Sequence, residues 1–253
     1  MKRFLIFAYG VICYALSVAT LLYTAAFLIN VGVPKSIDSA REVPFMTALA
    51  ADLALIALFS VQHSVMARPT FKRWWTRIIP ESAERSTYML FSSAALIVLF
   101  AFWQPMGIVI WNVDAPVARA TLYGIFALGW IVLLLASFLI NHFDLFGLRQ
   151  VWLQLLGRPC QPLPFKVTAL YRHVRHPIYL GWLLIFWATP TMTVAHLVFA
   201  VATSIYILIA IWLEERNLVA AHPEYEGYRR QVPMLLPSMK RRDRIGGRVA
   251  ARP

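Results

Sequence analysis

The stretch Arg172-His173-Val174-Arg175-His176-Pro177-Ile178-Tyr179-Leu180-Gly181-Trp182-Leu183-Leu184-Ile185-Phe186-Trp187 crowds cations and imidazoles against a proline and then turns wholly apolar. The apolar character continues to Leu213, breaks only at Thr189-Pro190-Thr191, and ends at Glu214-Glu215. A helix needs about 20 apolar residues to cross a bilayer. Residues 178 to 213, about 36 in all, therefore hold a short helix, a tight turn and a full helix. Pro177 to Pro190 reaches only roughly 20 Å at 1.5 Å per residue, so the short arm must bend or sit in thinned bilayer. Five crossings is the alternative to six.

Four further apolar runs lie upstream, at residues 4 to 29, 45 to 61, 87 to 103 and 117 to 140. With 60% hydrophobic and 14% charged residues, the chain does not fit an ordinary soluble domain. The expected fold is all-α: a polytopic integral membrane bundle of about six helices including a C-terminal helical hairpin. Residues 1 to 140 form four transmembrane helices. Within them 68 to 86, with Phe71, Trp74 and Trp75 interleaved with Lys72, Arg73 and Arg77, reads as an amphipathic interfacial segment. Residues 141 to 237 comprise a linker, the hairpin and a C-terminal binding segment, and 238 to 253 a basic, disordered, lipid-facing tail. The first span is too long for a signal peptide and reads as a retained helix.

Charge gives orientation. Under six crossings only Lys35, Arg41 and Arg119 fall outside, so 21 of the 24 basic residues obey the positive-inside rule. Both termini are expected in the cytoplasm, and the protein in the cell inner membrane. The net charge of +12 is accounted for by topology and anionic lipid, without a nucleic-acid partner. Cys13 lies in a span and Cys160 in the linker, so no disulfide joins them.

Two sets of residues carry candidate chemistry. Pro177 suits the first position of a helix, with His176 before it as N-cap. The free amides of that first turn, with Arg172 and Arg175 beside them, favour an anion. Tyr171 and Tyr179 flank the site, and Gly181 lets a ligand or a helix approach closely. Glu214 and Glu215 oppose the dipole of the helix they terminate. Neighbours on a helix point about 100° apart, so one can face a ligand while the other pairs with an arginine. The second set is His63, near the inner end of span two, and His142, near that of span four, flanked by Asn141 and Asp144. A histidine there suits general-base work, with Asp144 available to hold an imidazole tautomer.

The run 171 to 181, then Glu214-Glu215-Arg216-Asn217-Leu218, then Tyr225-Glu226-Gly227-Tyr228-Arg229-Arg230-Gln231-Val232-Pro233, resembles the isoprenylcysteine carboxyl methyltransferase superfamily of integral-membrane enzymes. Gln62-His63-Ser64-Val65-Met66-Ala67-Arg68, Glu84-Arg85-Ser86-Thr87-Tyr88, and Asn141 to Gln150 are similar to its bacterial methanethiol S-methyltransferase branch. The resemblance implies S-adenosyl-L-methionine as cofactor and a small volatile thiol as substrate, giving dimethyl sulfide. That cofactor carries a carboxylate, an ammonium and a sulfonium. Tyr171, Arg172, Arg175, His176, Tyr179, Gly181, Glu214 and Glu215 are the expected binding set. His142, Asn141, Asp144 and His63 are the expected catalytic set. The chain's 11 glycines never fall as G-x-G-x-x-G, which excludes a Rossmann methyltransferase. Carboxyl methylation of a prenylcysteine, a haem or metal protein using His173 and His176, and a transporter are the alternatives. No metal is expected.

Overall fold

A computed structural model describes residues 1–161, 163–164 and 166–237. The basic tail beyond them lies outside the described residues. Each long apolar run is a helix: α1 (Lys2–Ile29), α2 (Phe45–Met66), α4 (Glu84–Phe102), α5 (Pro116–Ile140) and α9 (Val194–Ala221). These five are long and apolar enough to cross a membrane. The short arm is α8 (Pro177–Trp187), whose 11 residues rise only about 16 Å.

The chain beyond α8 is held by a strand pair at the far end of the bundle. Strand β1 (Val109–Asn112) follows α4, strand β2 (Thr191–Thr193) follows α8, and the two pair antiparallel. The expected tight turn at 189 to 191 is therefore partly a strand. We call this the strand end and the opposite one the charged end. Asp38 fastens the strand end. It accepts hydrogen bonds from the Thr193 hydroxyl and, at 2.9 Å, from Asn30 Nδ2, and lies 3.8 Å from His196 Nδ1. Thr193 caps α9 by accepting from the His196 amide at 3.1 Å. Asp52, fully buried in α2, accepts from the Gln104 amide at 2.8 Å, so it ties α2 to the loop after α4.

Antiparallel packing of α5 against α8 sets the position of the charged end. A Cβ on Gly181 would lie 2.8 Å from the Gly129 carbonyl and 2.9 Å from Leu133; one on Gly129 would lie 2.9 Å from the Gly181 carbonyl. The two backbones touch where neither has a side chain, which is how small residues bring membrane helices together. Gly181 is thus spent on a helix and not on a ligand.

One expectation is corrected. The interfacial segment, expected as one amphipathic helix, is broken: α3 (Pro69–Trp75) spans 7 residues, and Pro80 separates it from a 3-10 turn at Glu81–Ala83 and from α4. Proline cannot continue a helix through its own position. The linker after α5 is partly helical. It holds α6 (His142–Leu145) and α7 (Leu148–Leu155), the latter packing Val151 against Gly10 of α1.

Gly181→Ala should cost about 1–3 kcal/mol by overpacking and lower the thermal midpoint in detergent, with little change in ligand affinity. An unchanged midpoint would refute this packing role. Burial raises the Asp38 pKa, but the nearby His196 imidazole and hydrogen bonds from Thr193 and Asn30 outweigh it and leave the carboxyl below its ordinary value. A depressed carboxyl stabilises the fold above its unfolded pKa, near 4, and loses that contribution as pH falls through its lower folded pKa. Asp38→Asn should therefore melt below wild type at pH 7, by about 1.5–3 kcal/mol, with the gap closing below about pH 4.

Candidate active site

The charged end sorts the candidate residues into three groups. The first is a clamp. Glu215 Oε1 accepts from Arg175 Nε at 2.8 Å and from His176 Nε2 at 3.0 Å, and Oε2 lies 3.9 Å from Arg229 Nη1. A carboxylate only accepts, so His176 Nε2 carries the hydrogen. Arg175 Nη1 also donates to the carbonyls of Arg229 and Val232, each at 2.7 Å. The Arg175 and His176 amides donate to Pro233 and Met234 at 2.9 and 3.2 Å. The segment 229 to 234, which follows and includes the end of α10 (Tyr225–Gln231), is thereby strapped across the start of α8. Glu215 is only 8% exposed, and its charge is met by protein on every side named here.

The second group is a chamber. Tyr179 donates to Glu214 Oε2 at 2.9 Å. Tyr88 of α4 lies within electrostatic range of both, and Tyr206 of α9 within range of Tyr88 and Tyr179. His63 of α2 joins through Tyr88, 2.6 Å from its Nε2, and Ser64 donates to Tyr206 at 3.3 Å. Phe59 stacks on the His63 ring, with centroids 5.1 Å apart. The Arg85 guanidinium lies 4.7 Å from the Tyr88 ring centroid. Four helices thus bring a carboxylate, an imidazole and three phenols together.

Glu214 and Glu215 do not terminate their helix as expected. α9 continues to Ala221, so the pair stands almost two turns before its end. The 100° offset between neighbours turns Glu215 to the clamp and Glu214 to the chamber. The first turn of α8, with Pro177 at its start and no side-chain cap, adjoins both. Tyr171 belongs to the 3-10 turn Ala169–Arg172; its hydroxyl donates to the Ala136 carbonyl at 3.4 Å and its carbonyl accepts from Tyr228 at 2.6 Å. Burial and then the charge of Glu214 raise its pKa, keeping it a neutral phenol.

His142 forms the third group, apart from these. Its Nδ1 lies 2.9 Å from Ser137 Oγ, whose own proton goes to Leu134, and its Nε2 lies 3.0 Å from Tyr14 of α1. The ring stacks on Phe138 at 4.3 Å, and burial lowers its pKa. Asp144 does not orient it. Asp144 pairs with Arg149 at 2.8 Å, and Asn141 accepts from the Asp144 amide at 3.1 Å, shaping the turn. Tyr88 hydrogen-bonds His63 and lies within electrostatic range of Glu214, whereas Asn141 and His142 line a separate pocket of about 500 Å³ with Phe138, Lys166 and Thr168 at the end of α5. Ser92 and Tyr206 escaped notice in the sequence, and Tyr88 enters there only as part of a family resemblance. Their one signal is polarity at helical spacing inside otherwise apolar spans.

The chamber's chemistry fits a zwitterionic sulfonium ligand. Glu214 is the available carboxylate, the α8 amides offer donors to an anion, and the phenols present faces to a cation. Among the described residues no group of three or more His, Cys, Asp or Glu could hold a metal ion.

No family model and no solved structure matches the chain. Among curated proteins it is 56% identical to the methanethiol S-methyltransferase of Crocosphaera subtropica, over 94% of this chain and 93% of that one. It is 49% identical to the enzyme of that name from Mycobacterium tuberculosis, over 94% and 98%. Nurim of Xenopus laevis is more distant, 30% identical over 84% and 75%. With identity of this extent along nearly the whole chain, the protein belongs to the methanethiol S-methyltransferase family.

Proposed function

We propose that this multi-pass membrane protein transfers a methyl group from S-adenosyl-L-methionine to methanethiol, releasing dimethyl sulfide at the cytoplasmic side of the cell inner membrane. The observation that carries the reading is the cluster at the charged end, where Glu214 accepts from Tyr179, Tyr88 lies within electrostatic range of both, and the Tyr88 hydroxyl sits on His63 Nε2. Displacement at a methyl carbon asks three things of a protein. It must hold two reactants in line, exclude water, and take the thiol's proton.

The residues divide those tasks. Glu214 takes the donor's ammonium or ribose hydroxyls, and the α8 amides with Arg172 take its carboxylate. Tyr179 and Tyr171 supply aromatic walls. Arg175, His176 and Glu215 contribute by holding the strap that closes the pocket. His63 is the proton acceptor of the chamber. His142 stands apart from Glu214, lining the separate pocket at the end of α5, and takes no part in this reading. The cytoplasmic placement follows the basic residues: Arg68, Lys72, Arg73, Arg77, Arg85, Arg149, Arg158, Arg172 and Arg175 all attach to the charged end.

Glu214→Gln and Glu215→Gln separate holding a ligand from holding the fold. Glu214→Gln should weaken donor binding in calorimetry ten- to a hundredfold, the loss of one charge-assisted bond of about 1.5–3 kcal/mol, with an unchanged melting point. Glu215→Gln leaves Arg175 buried without its countercharge and should lower stability by about 3–5 kcal/mol. If Glu214→Gln binds the donor normally, the chamber is not its site. Reporter fusions at residue 150 and after residue 237 should both read cytoplasmic, and those within 31 to 44 and 104 to 116 should read external. An external signal at residue 150 would invert the topology.

A further inference from the structure

The hydrogen bonds around His63 admit a single arrangement of protons. Ser92 Oγ donates its one hydrogen to the Tyr88 carbonyl at 2.9 Å. Towards His63 Nδ1, 2.9 Å away, it can only accept. Nδ1 therefore carries the imidazole hydrogen, and Nε2 presents a lone pair. That lone pair is already covered, because the Tyr88 hydroxyl sits on it at 2.6 Å and must be its donor. A thiol entering the chamber cannot reach the histidine's basic nitrogen. What it meets is the Tyr88 oxygen, which still has acceptor capacity once its proton is given to His63.

We propose that Tyr88 is the catalytic residue that takes the thiol proton, with His63 and Ser92 acting behind it as a relay. This rests on the methyl-transfer reading above. As the S–H bond breaks, its proton passes to Tyr88 Oη while the Tyr88 proton passes to His63 Nε2. The sulfur's electron pair forms the new S–CH3 bond, and the bond from the methyl group to the donor sulfonium breaks with its pair left on the donor sulfur. The thioether and the demethylated donor are both uncharged at sulfur. One positive charge leaves the sulfonium and one appears on the His63 imidazolium, which later loses its proton to water.

Charge conservation makes the step tolerable beside the buried Tyr88. Creating a new ion there would be costly, but moving an existing positive charge by one relay is not. The charged and titratable groups facing Tyr88 are Arg85, Glu84, Glu214 and Tyr206. Arg85, over the Tyr88 ring, favours negative character on the phenol oxygen and disfavours a lasting imidazolium. The proton is passed through and not stored. Glu214 offsets positive charge before and after transfer.

The test compares Tyr88→Phe with wild type on methanethiol and on a more acidic small thiol, trifluoroethanethiol. Loss of a general base costs about 10²–10⁴ in turnover. Tyr88→Phe should fall at least a hundredfold with methanethiol, far less with the acidic thiol, and keep donor affinity in calorimetry within about twofold. Without any turnover, ¹⁵N NMR of histidine-labelled protein should show His63 as the Nδ1–H tautomer, with Nε2 shifting in Tyr88→Phe. His63→Gln, which can accept a hydrogen bond but not hold the proton, should repeat the thiol-dependent loss and stands in if Tyr88→Phe does not fold. Equal losses for both thiols, or an Nε2–H tautomer, would overturn the relay while leaving the enzyme reading intact. An inactive wild type would sink both.

Discussion

A carboxylate removed from water must be met by donors, or it will not stay charged. Glu215 is met by Arg175, His176 and Arg229, and the charged end is organised around that fact. The contact fixes the start of α8 to α9 and recruits the C-terminal segment through the second face of the Arg175 guanidinium. Because Glu215 absorbs these partners, its neighbour Glu214 is left to a phenol, Tyr179, and to the chamber. One carboxylate closes the pocket and the other serves it.

The chamber also shows why so much of its polarity is tyrosine. A phenol is uncharged at neutral pH, donates one hydrogen bond and accepts others, and offers an apolar ring to neighbouring helices. Tyr88, Tyr179 and Tyr206 can thus stand together among apolar helices at far lower desolvation cost than three further charged groups. A small apolar thiol and a charged donor make opposite demands on a pocket, and phenols answer both.

The five long spans and the α8–α9 hairpin were legible in the sequence, because apolar length is the strongest signal a membrane chain carries. The strand pair was not. Val109–Asn112 and Thr191–Thr193 are too short to show alternation and lie far apart in the chain. The division of labour between Glu214 and Glu215 was legible as a 100° offset, but which one faced inward was not, since that depends on where α8 sits. Gly181 was read as room for a ligand or a helix, and only its meeting with Gly129 decides for the helix. The two histidines are instructive. His63 and His142 each stand at the charged end of a span, each with a serine on Nδ1 and a tyrosine on Nε2. Their immediate partners are alike, and what separates them is what lies beyond: Glu214 and Tyr206 near Tyr88 in one case, a pocket lined by Asn141 and Lys166 in the other.

The Thr193 cap that begins α9 carries a consequence for the membrane around the protein. From Val194 to Glu214 the helix rises about 30 Å, close to the hydrocarbon thickness of a typical bilayer. The strand end anchors one terminus of this rod, so the rod is a ruler, and the depth at which Glu214 meets the headgroup layer is set by the lipid chains. Lengthening or shortening those chains shifts the mismatch onto tilt and local thinning. The short, strapped α8 has the least helix with which to absorb it. The lipid composition of the membrane is thereby a mechanical input to the geometry of the chamber.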